Sequence, residues 1–323
     1  MRTYSLIISA LLVLLFSSCA TPKITLFSDG TLPLQEFTLQ GKGKGKILVI
    51  PIKGEISSST SKGFIFTKPS MIQEVVSQLK MAEKDRGIKA VILKIDSPGG
   101  SVTASDILYH EIVAFKNRTG VKVVAAMMDV AASGGYYIAL PADFIFAHPT
   151  TITGSIGVIF MQPKVSDLMG KIGVGLDINR SGKNKDMGSP FRNTTDEERK
   201  IFQDLTDELG KRFINLVSIH RKLDKNRLAQ ISSARIYLAP KALELGLIDK
   251  IGYLEDAIKK TRKLAGLSRD ARIVIYRRTK YPNDNLYNTS VNRQSGQGLS
   301  LIDLNLPESI SPLNTGFYYM WMP

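Results

Sequence analysis

Acyl transfer from a serine requires a hydroxyl that can lose its proton, a base that takes it, and backbone N–H groups that hold the resulting oxyanion. Two short runs carry the first and the last of these. Asp96-Ser97-Pro98-Gly99-Gly100-Ser101 is a Gly-rich turn whose missing side chains let backbone approach a ligand closely. Further along, Ala132-Ser133-Gly134-Gly135-Tyr136-Tyr137 places Ser133 just before a short helix expected over 136–140, whose N-terminal N–H groups favour a developing negative charge. Read alone, the glycines are equally compatible with ordinary strand-to-helix turns.

The base is the open question. The three histidines have unpromising surroundings: His110 falls in an amphipathic run, His148 precedes Pro149 at a strand end, and His220 stands beside Arg221 and Lys222. The alternative is a lysine from the Gly-, Ser- and Pro-punctuated stretch 180–190, which holds Lys183 and Lys185. Ser-Lys pairs are a known variant of the triad. A lysine amine accepts a proton near neutral pH only when burial lowers its pKa from about 10.4 by several units, so the base lysine should be desolvated in the working enzyme.

Four motifs then occur together and in order: the Asp-Ser-Pro-Gly-Gly turn, Ala-Ser-Gly-Gly-Tyr-Tyr, Thr151-Ile152-Thr153-Gly154-Ser155-Ile156-Gly157-Val158, and Lys185-Asp186-Met187-Gly188-Ser189-Pro190. Over residues 46–265 the chain resembles the signal peptide peptidase A family. The resemblance implies Ser133 as nucleophile, Lys185 as general base, the backbone N–H groups of Gly100 and Gly134 as oxyanion donors, and Ser155 as a hydroxyl that orients the lysine. Lys183, two residues away, is the competing lysine. The resemblance also implies the Clp protease/crotonase-like fold, an α/β fold of repeated ββα/βαβ units. Homo-oligomers are implied too, with serine and lysine of one site on neighbouring copies, because each motif occurs once and no half is duplicated. The implied substrates are peptides, signal-peptide remnants in particular, and no metal or organic cofactor is required.

Met1-Arg2-Thr3-Tyr4 is followed by an apolar run over 6–16 and by Ser17-Ser18-Cys19, which contains the sole cysteine. The run is shorter than the roughly twenty residues that span a bilayer, so it reads as a signal peptide over 1–18 rather than a membrane anchor. The resemblance of its end to bacterial lipoprotein signals implies lipidation of Cys19, with the catalytic domain membrane-anchored in the cell envelope, outside the cytoplasm. A single cysteine rules out an intrachain disulfide framework. The net charge of +14 is spread over the chain without aromatic-interleaved basic motifs. That pattern argues against nucleic acid and fits either a face toward an anionic membrane or a solvated surface.

These residues must be positioned by a scaffold. At 323 residues and 43% hydrophobic, the chain can build one large α/β domain or two. Apolar β-branched runs at 47–52, 88–95 and 121–127 read as strands buried on both faces of a parallel sheet. They alternate with helical stretches, a capping box at Ser70–Gln73 opening one and 103–115 forming another, which predicts βαβ crossovers. A second capping box at Thr195–Glu198 opens a long amphipathic helix that must pack on its own sheet or on another subunit. Residues 19–45, with Gly41-Lys42-Gly43-Lys44-Gly45, read as a lipid-attached tether, 46–265 as the peptidase domain, and 266–323 as an extension disordered over 281–297. Its aromatic end, 315–323, either docks in the substrate groove, adds a strand to a neighbouring copy, or completes the parent domain. Two rival functions are an acyl-CoA enzyme of the crotonase type, whose peptide N–H groups would hold an enolate, and a non-catalytic lipoprotein scaffold.

Overall fold

The computed structural model describes residues 32–62, 67–288 and 315–322. The expected signal segment and Cys19 lie outside the described residues. In chain order the elements begin with β1 (Gln35–Gln40), β2 (Gly43–Lys53), the ribbon strands β3 (Ser61–Lys62) and β4 (Thr67–Lys68), and α1 (Met71–Lys84). Then come β5 (Ile88–Ser97), β6 (Gly99–Ser101), α2 (Val102–Thr119), β7 (Lys122–Ala132), α3 (Gly134–Tyr137), β8 (Phe144–Ala147), β9 (Ile152–Gly154), β10 (Ile159–Met161) and α4 (Ser166–Lys171). The chain continues with α5 (Asp196–Arg221), α6 (Lys225–Ile231), β11 (Ile236–Leu238), α7 (Ala239–Glu244), β12 (Lys250–Ile251), α8 (Leu254–Leu264), β13 (Ala271–Arg277) and β14 (Gly316–Met320).

The backbone of the molecule is a sheet ordered β1-β13-β2-β5-β7-β8-β12, with β9 and β11 joined beyond the end of β7. From β13 through β12 the neighbours run parallel, as the three apolar runs predict. Alternation within β5 explains why its apolar residues stand at consecutive positions from Ala90 to Leu93. Val91, Leu93 and Ile95 pack into a core with α1 and α2, whereas Ala90 and Ile92 pack into a second core with Leu254, Ala257 and Ile258 of α8. A strand covered on both faces has no side that calls for polar residues.

The helix starts follow their sequence signals. Ser70 and Gln73 form a reciprocal capping box on α1, and Thr195 and Glu198 form one on α5. Ser101 caps α2, which ends at Gly120 in the left-handed conformation. The long helix α5 buries Phe213 and Val217, while Leu205 is 40% and Ile219 67% exposed. Its own chain therefore covers only part of the apolar face.

Two domain boundaries differ from the sequence reading. The tether expected to run to residue 45 gives way at Gln35 to β1, which pairs antiparallel with β13, and β2 already starts at Gly43. Gly41, read as linker, has φ 78°, and a Cβ there would stand 2.5 Å from Ala271 O. A composition rich in Gly and Lys does not distinguish a loose linker from a tight strand junction that admits only glycine. The extension expected from 266 contributes β13, inserted between β1 and β2. Beyond it Leu286 enters the second core and its carbonyl accepts a hydrogen bond from buried Lys94 Nζ at 2.6 Å. Residues 289–297, the later part of the stretch expected to be disordered, lie outside the described residues.

Arg277 closes this edge. Its side chain is fully buried, forms an ion pair with Asp284, and lies over the rings of Phe37 and Tyr281 at 5.2 and 4.5 Å. Removing one member of a buried pair strands the other, at a typical cost of about 3 to 5 kcal/mol. Arg277→Ala is therefore expected to lower unfolding stability by about 3 kcal/mol, seen as a lower urea midpoint at unchanged slope. A midpoint within error of wild type would show that the edge is held by other contacts.

Candidate active site

β7 delivers Ser133 from the middle of the sheet. The serine has φ 52° and ψ −116°, a backbone region that a non-glycine residue keeps only when its surroundings enforce it. The enforcement is visible on both sides. Ser133 N–H donates to Gly154 O at 2.8 Å, and Ser133 O accepts from Tyr137 N–H at 2.9 Å, which opens α3. Behind it Gly135 lies so close to the β5 end that a Cβ would stand 2.5 Å from Ser97 O. Ser133 is 1% exposed, and its Oγ has no hydrogen-bond partner among the described residues. A buried hydroxyl left unpaired costs free energy and calls for a partner that the described residues do not supply.

The Gly-rich turn runs alongside. Ile56 N–H donates to Gly99 O at 2.8 Å and Ser101 N–H donates to Ile56 O at 3.0 Å. Strand groups alternate in direction, so the Gly100 N–H and C=O face the other way, toward its register partner Tyr319 on β14. Gly99 has φ 107°, and a Cβ on it would stand 1.9 Å from Tyr319 O and 2.8 Å from Gly134 N. Gly100 and Gly134 are therefore brought to one place, around the carbonyl oxygen of Tyr319.

Ser155 is brought into the same neighbourhood. β9 pairs parallel with the end of β7, matching Ala132 with Gly154, so Ser133 and Ser155 follow directly on two paired strand ends. Ser155 also has a positive φ of 50°, held by its N–H donating to Arg235 O at 2.8 Å.

Lys185 is not brought to Ser133 within one chain. It sits exposed on a turn closed by its N–H donating to Gly182 O at 3.1 Å, and no hydrogen bond links it to the serine. The turn is pinned by ion pairs. Asp186 joins Arg180 at 2.6 Å and Arg192 at 2.7 Å, and Arg192 also joins Glu198 of α5. The Arg192 and Arg180 guanidiniums hold the Asp186 carboxyl well below the usual carboxylate range, and Arg192 draws Glu198 down likewise. Lys183 is taken up by an ion pair with Glu197.

No histidine bonds the serine. His110 lies exposed on α2, His148 pairs with Thr150 at 2.9 Å, and His220 meets the Tyr109 hydroxyl at 2.7 Å, with burial lowering its pKa. Among the described residues no cluster of three or more His, Cys, Asp or Glu could hold a metal ion, and no helix is long and apolar enough to cross a membrane.

The sequence reading did not find the wall of the groove. Tyr319 is completely buried, stacked on Tyr137 at 5.0 Å and tilted on Phe213 at 4.9 Å, and its hydroxyl donates to Leu209 O at 3.1 Å. The Tyr137 hydroxyl in turn donates to Asp106 at 2.6 Å, which pairs with Arg212 of α5 at 2.7 Å. Phe213 was legible only as part of an amphipathic stripe, and nothing in that periodicity shows which turn of a long helix meets a strand from the far end of the chain.

The pattern of peptidase family S49 matches residues 115–268, and that of Clp protease matches residues 66–151. A protein of Enterococcus faecium named as a signal peptide peptidase SppA is 35% identical over 249 residues, which cover 77% of this chain and 72% of that protein. Protease 4 of Haemophilus influenzae is 32% identical over 75% of this chain and 38% of its own length. The chloroplastic serine protease SPPA of Arabidopsis thaliana is 30% identical over 72% of this chain and 34% of its own length. Only a part of each of these two longer proteins is matched. A solved structure of a ClpP1 variant from Listeria monocytogenes aligns with TM-score 0.42 at 18% identity, over 66% of this chain and 94% of that one. The chain belongs to peptidase family S49, the signal peptide peptidase A family, and is a serine peptidase with a Clp protease-like α/β fold.

Proposed function

We propose that this serine peptidase is an endopeptidase that works with a Ser133–Lys185 dyad, completed when a neighbouring copy brings its Lys185 to Ser133. The observation that carries the reading is the buried, unpartnered Ser133 Oγ on a backbone of positive φ, with the Gly99–Gly100 turn packed against Gly134. Peptide binds as an extended strand along the Gly-rich turn. Ser133 Oγ attacks the scissile carbonyl carbon and its proton passes to the neutral Lys185 amine, while the N–H groups of Gly100 and Gly134 hold the oxyanion. The C–N bond breaks, the lysine proton goes to the leaving amine, and an acyl-enzyme ester remains. Lys185 then takes a proton from water, the hydroxide adds to the ester, and the acid product leaves with Ser133 restored. Ser155, on the strand end next to Ser133, orients the lysine.

Cys19 lipidation would tether the enzyme to a membrane of the cell envelope with its catalytic domain outside the cytoplasm. Peptides left in or near that membrane, signal-peptide remnants among them, are then its substrates. The exposed position of Lys185 and the partly uncovered apolar face of α5 support assembly. An acyl-CoA enzyme or an inactive scaffold has no use for a serine held in a strained backbone conformation with its hydroxyl unpaired.

Ser133→Ala and Lys185→Ala are each expected to lower kcat on an apolar peptide by at least about a thousandfold. Mixed oligomers of the two single variants should regain a measurable fraction of wild-type activity. No recovery in oligomers shown to contain both chains would refute sharing, whereas undiminished activity of Ser133→Ala would refute the nucleophile.

The ion pairs around the Lys185 turn predict an acid limit. Folded pKa values of Asp186 and Glu198 lie below the ordinary carboxylate values of about 4, so their contribution to stability is complete above that pH. It is lost as pH falls from about 4 toward the folded value, about 2 for Glu198. Urea midpoints measured from pH 5 to pH 2.5 should therefore fall less steeply for Asp186→Asn/Glu198→Gln than for wild type. Parallel slopes would show that these carboxyls do not couple to folding.

A further inference from the structure

Lys185 stands in a stretch of chain that has no apolar anchor. From Gly157 to Glu197 no residue is buried, and Glu198 is the first that is. Polar contacts therefore decide where this lysine stands. We infer that Arg192 is a positioning residue that aims Lys185, by clamping the neighbouring Asp186 to the first turn of α5, and that Lys164 steadies the same loop from its other side. The inference rests on the Ser133–Lys185 reading above and adds to it what sets the place of the base.

The Arg192 guanidinium has no donor to spare. Nε donates to Asp186 Oδ2 at 2.7 Å, and Nη2 donates to Asp186 Oδ1 at 2.9 Å and to Glu198 Oε1. Nη1 donates to Glu198 Oε2 at 2.9 Å and to Asn193 O at 3.0 Å. These bonds match in number the N–H groups that a guanidinium carries. A planar fork bound to two carboxylates in this way has one orientation, which the rotating ammonium of a lysine does not reproduce. Both carboxylates are held in turn. Glu198 Oε2 accepts from Thr195 N–H at 2.9 Å as part of the α5 cap, and its side chain is 3% exposed. Asp186 also accepts from Arg180. The clamp thus ties the residue next to Lys185 to the start of a helix of 26 residues.

Lys164, in the segment between β10 and α4, fastens the far side of the loop. Its Nζ donates to Ser189 O and to Arg192 O, each at 2.9 Å. Val165 N–H donates to Pro190 O at 2.8 Å, and the Gln162 amide donates to Ser189 O at 3.3 Å. Residues 186 and 189–192 are thereby held from two directions, and Lys185 is the next residue outward. A lysine reaches its partner on a flexible stem, so the fixed part of its path is the backbone from which it starts. General base catalysis is sensitive to that path, because a misplacement of about 1 Å can cost about a hundredfold in rate. Lys183, the other lysine of the turn, is engaged by Glu197 of α5, which leaves Lys185 as the amine that the clamp presents.

The test is steady-state turnover of an apolar peptide by the full chain, using fractions of wild-type particle size so that unassembled chain does not contribute. Arg192→Ala should lower kcat at least about tenfold with KM within about twofold of wild type, since it loosens the base and leaves the groove alone. Arg192→Lys, which keeps the charge without the planar fork, should stay at least about threefold below wild type in kcat. Lys164→Met should lower kcat by at least about threefold, again at constant KM. Arg192→Ala/Glu198→Gln should lie within about twofold of Arg192→Ala alone, because the two side chains act as one clamp. A kcat of Arg192→Ala within about twofold of wild type, or a rise in KM that accounts for its lost turnover, overturns the inference. Where Arg192→Ala does not assemble, the same two results for Arg192→Lys overturn it. Additive losses in the double variant overturn the clamp, and wild-type kcat in Lys164→Met overturns the second support. Lys185→Ala separates these outcomes from the reading beneath them. Undiminished turnover by Lys185→Ala would overturn the dyad itself, whereas an inactive Lys185→Ala beside a fully active Arg192→Ala would overturn only the positioning role.

Discussion

The hydrogen bond from Ser133 N–H to Gly154 O holds the rest of the site in place. It joins the end of β7 to β9 and fixes the serine in a backbone conformation of positive φ that would relax if the two strand ends parted. Everything that gives the site its shape bears on that junction. The parallel sheet places the ends of β5 and β7 side by side, and α3 starts from the Ser133 carbonyl. Gly135 packs against Ser97 with no room for a side chain. Strain of this kind typically costs about 1 to 3 kcal/mol, and two cores on opposite faces of the sheet are what can sustain it.

The same junction explains the glycines. Gly100 is fixed by the bridge to Ile56 and Gly134 by the first turn of α3, so in the proposed mechanism their N–H groups would be in place before substrate arrives. Preorganised donors need no rearrangement as negative charge develops, which is why rigid backbone serves this purpose better than mobile side chains. Gly99 has a different role: its bare Cα is the space through which the Tyr319 carbonyl reaches that point. In that mechanism the Gly-Gly pair combines a donor with a clearance.

Much of this was legible in the sequence because it is local. The β-branched runs at 47–52, 88–95 and 121–127 became β2, β5 and β7, and the capping boxes at Ser70 and Thr195 start helices where expected, since a cap is decided by neighbours three residues apart. What was not legible depends on distant partners. The strand character of 35–40 and 271–277 comes from their pairing with each other, and the glycines at 41, 43 and 45 looked like slack chain because only Leu267, Asp270 and Ala271, far along the sequence, reveal how little space they have. The pocket of Tyr137, Phe213 and Tyr319 joins three segments whose individual patterns read as a short helix, an amphipathic helix and an apolar tail.

The separation of Ser133 from Lys185 has a physical logic of its own in the proposed dyad. An amine that must lose its proton near neutral pH has to be taken out of water, whereas the turn that carries Lys185 is secured by ion pairs among Arg180, Asp186, Arg192 and Glu198 that leave this lysine exposed. A second copy laid over that turn could exclude water from Lys185 and supply the missing partner of the Ser133 hydroxyl in one event. In the proposed dyad each copy alone would keep a serine without a base and a solvated base without a serine, so chemistry would wait for assembly. The C-terminal strand is held by contacts of its own, pairing on one edge with β10 and on the other with β6.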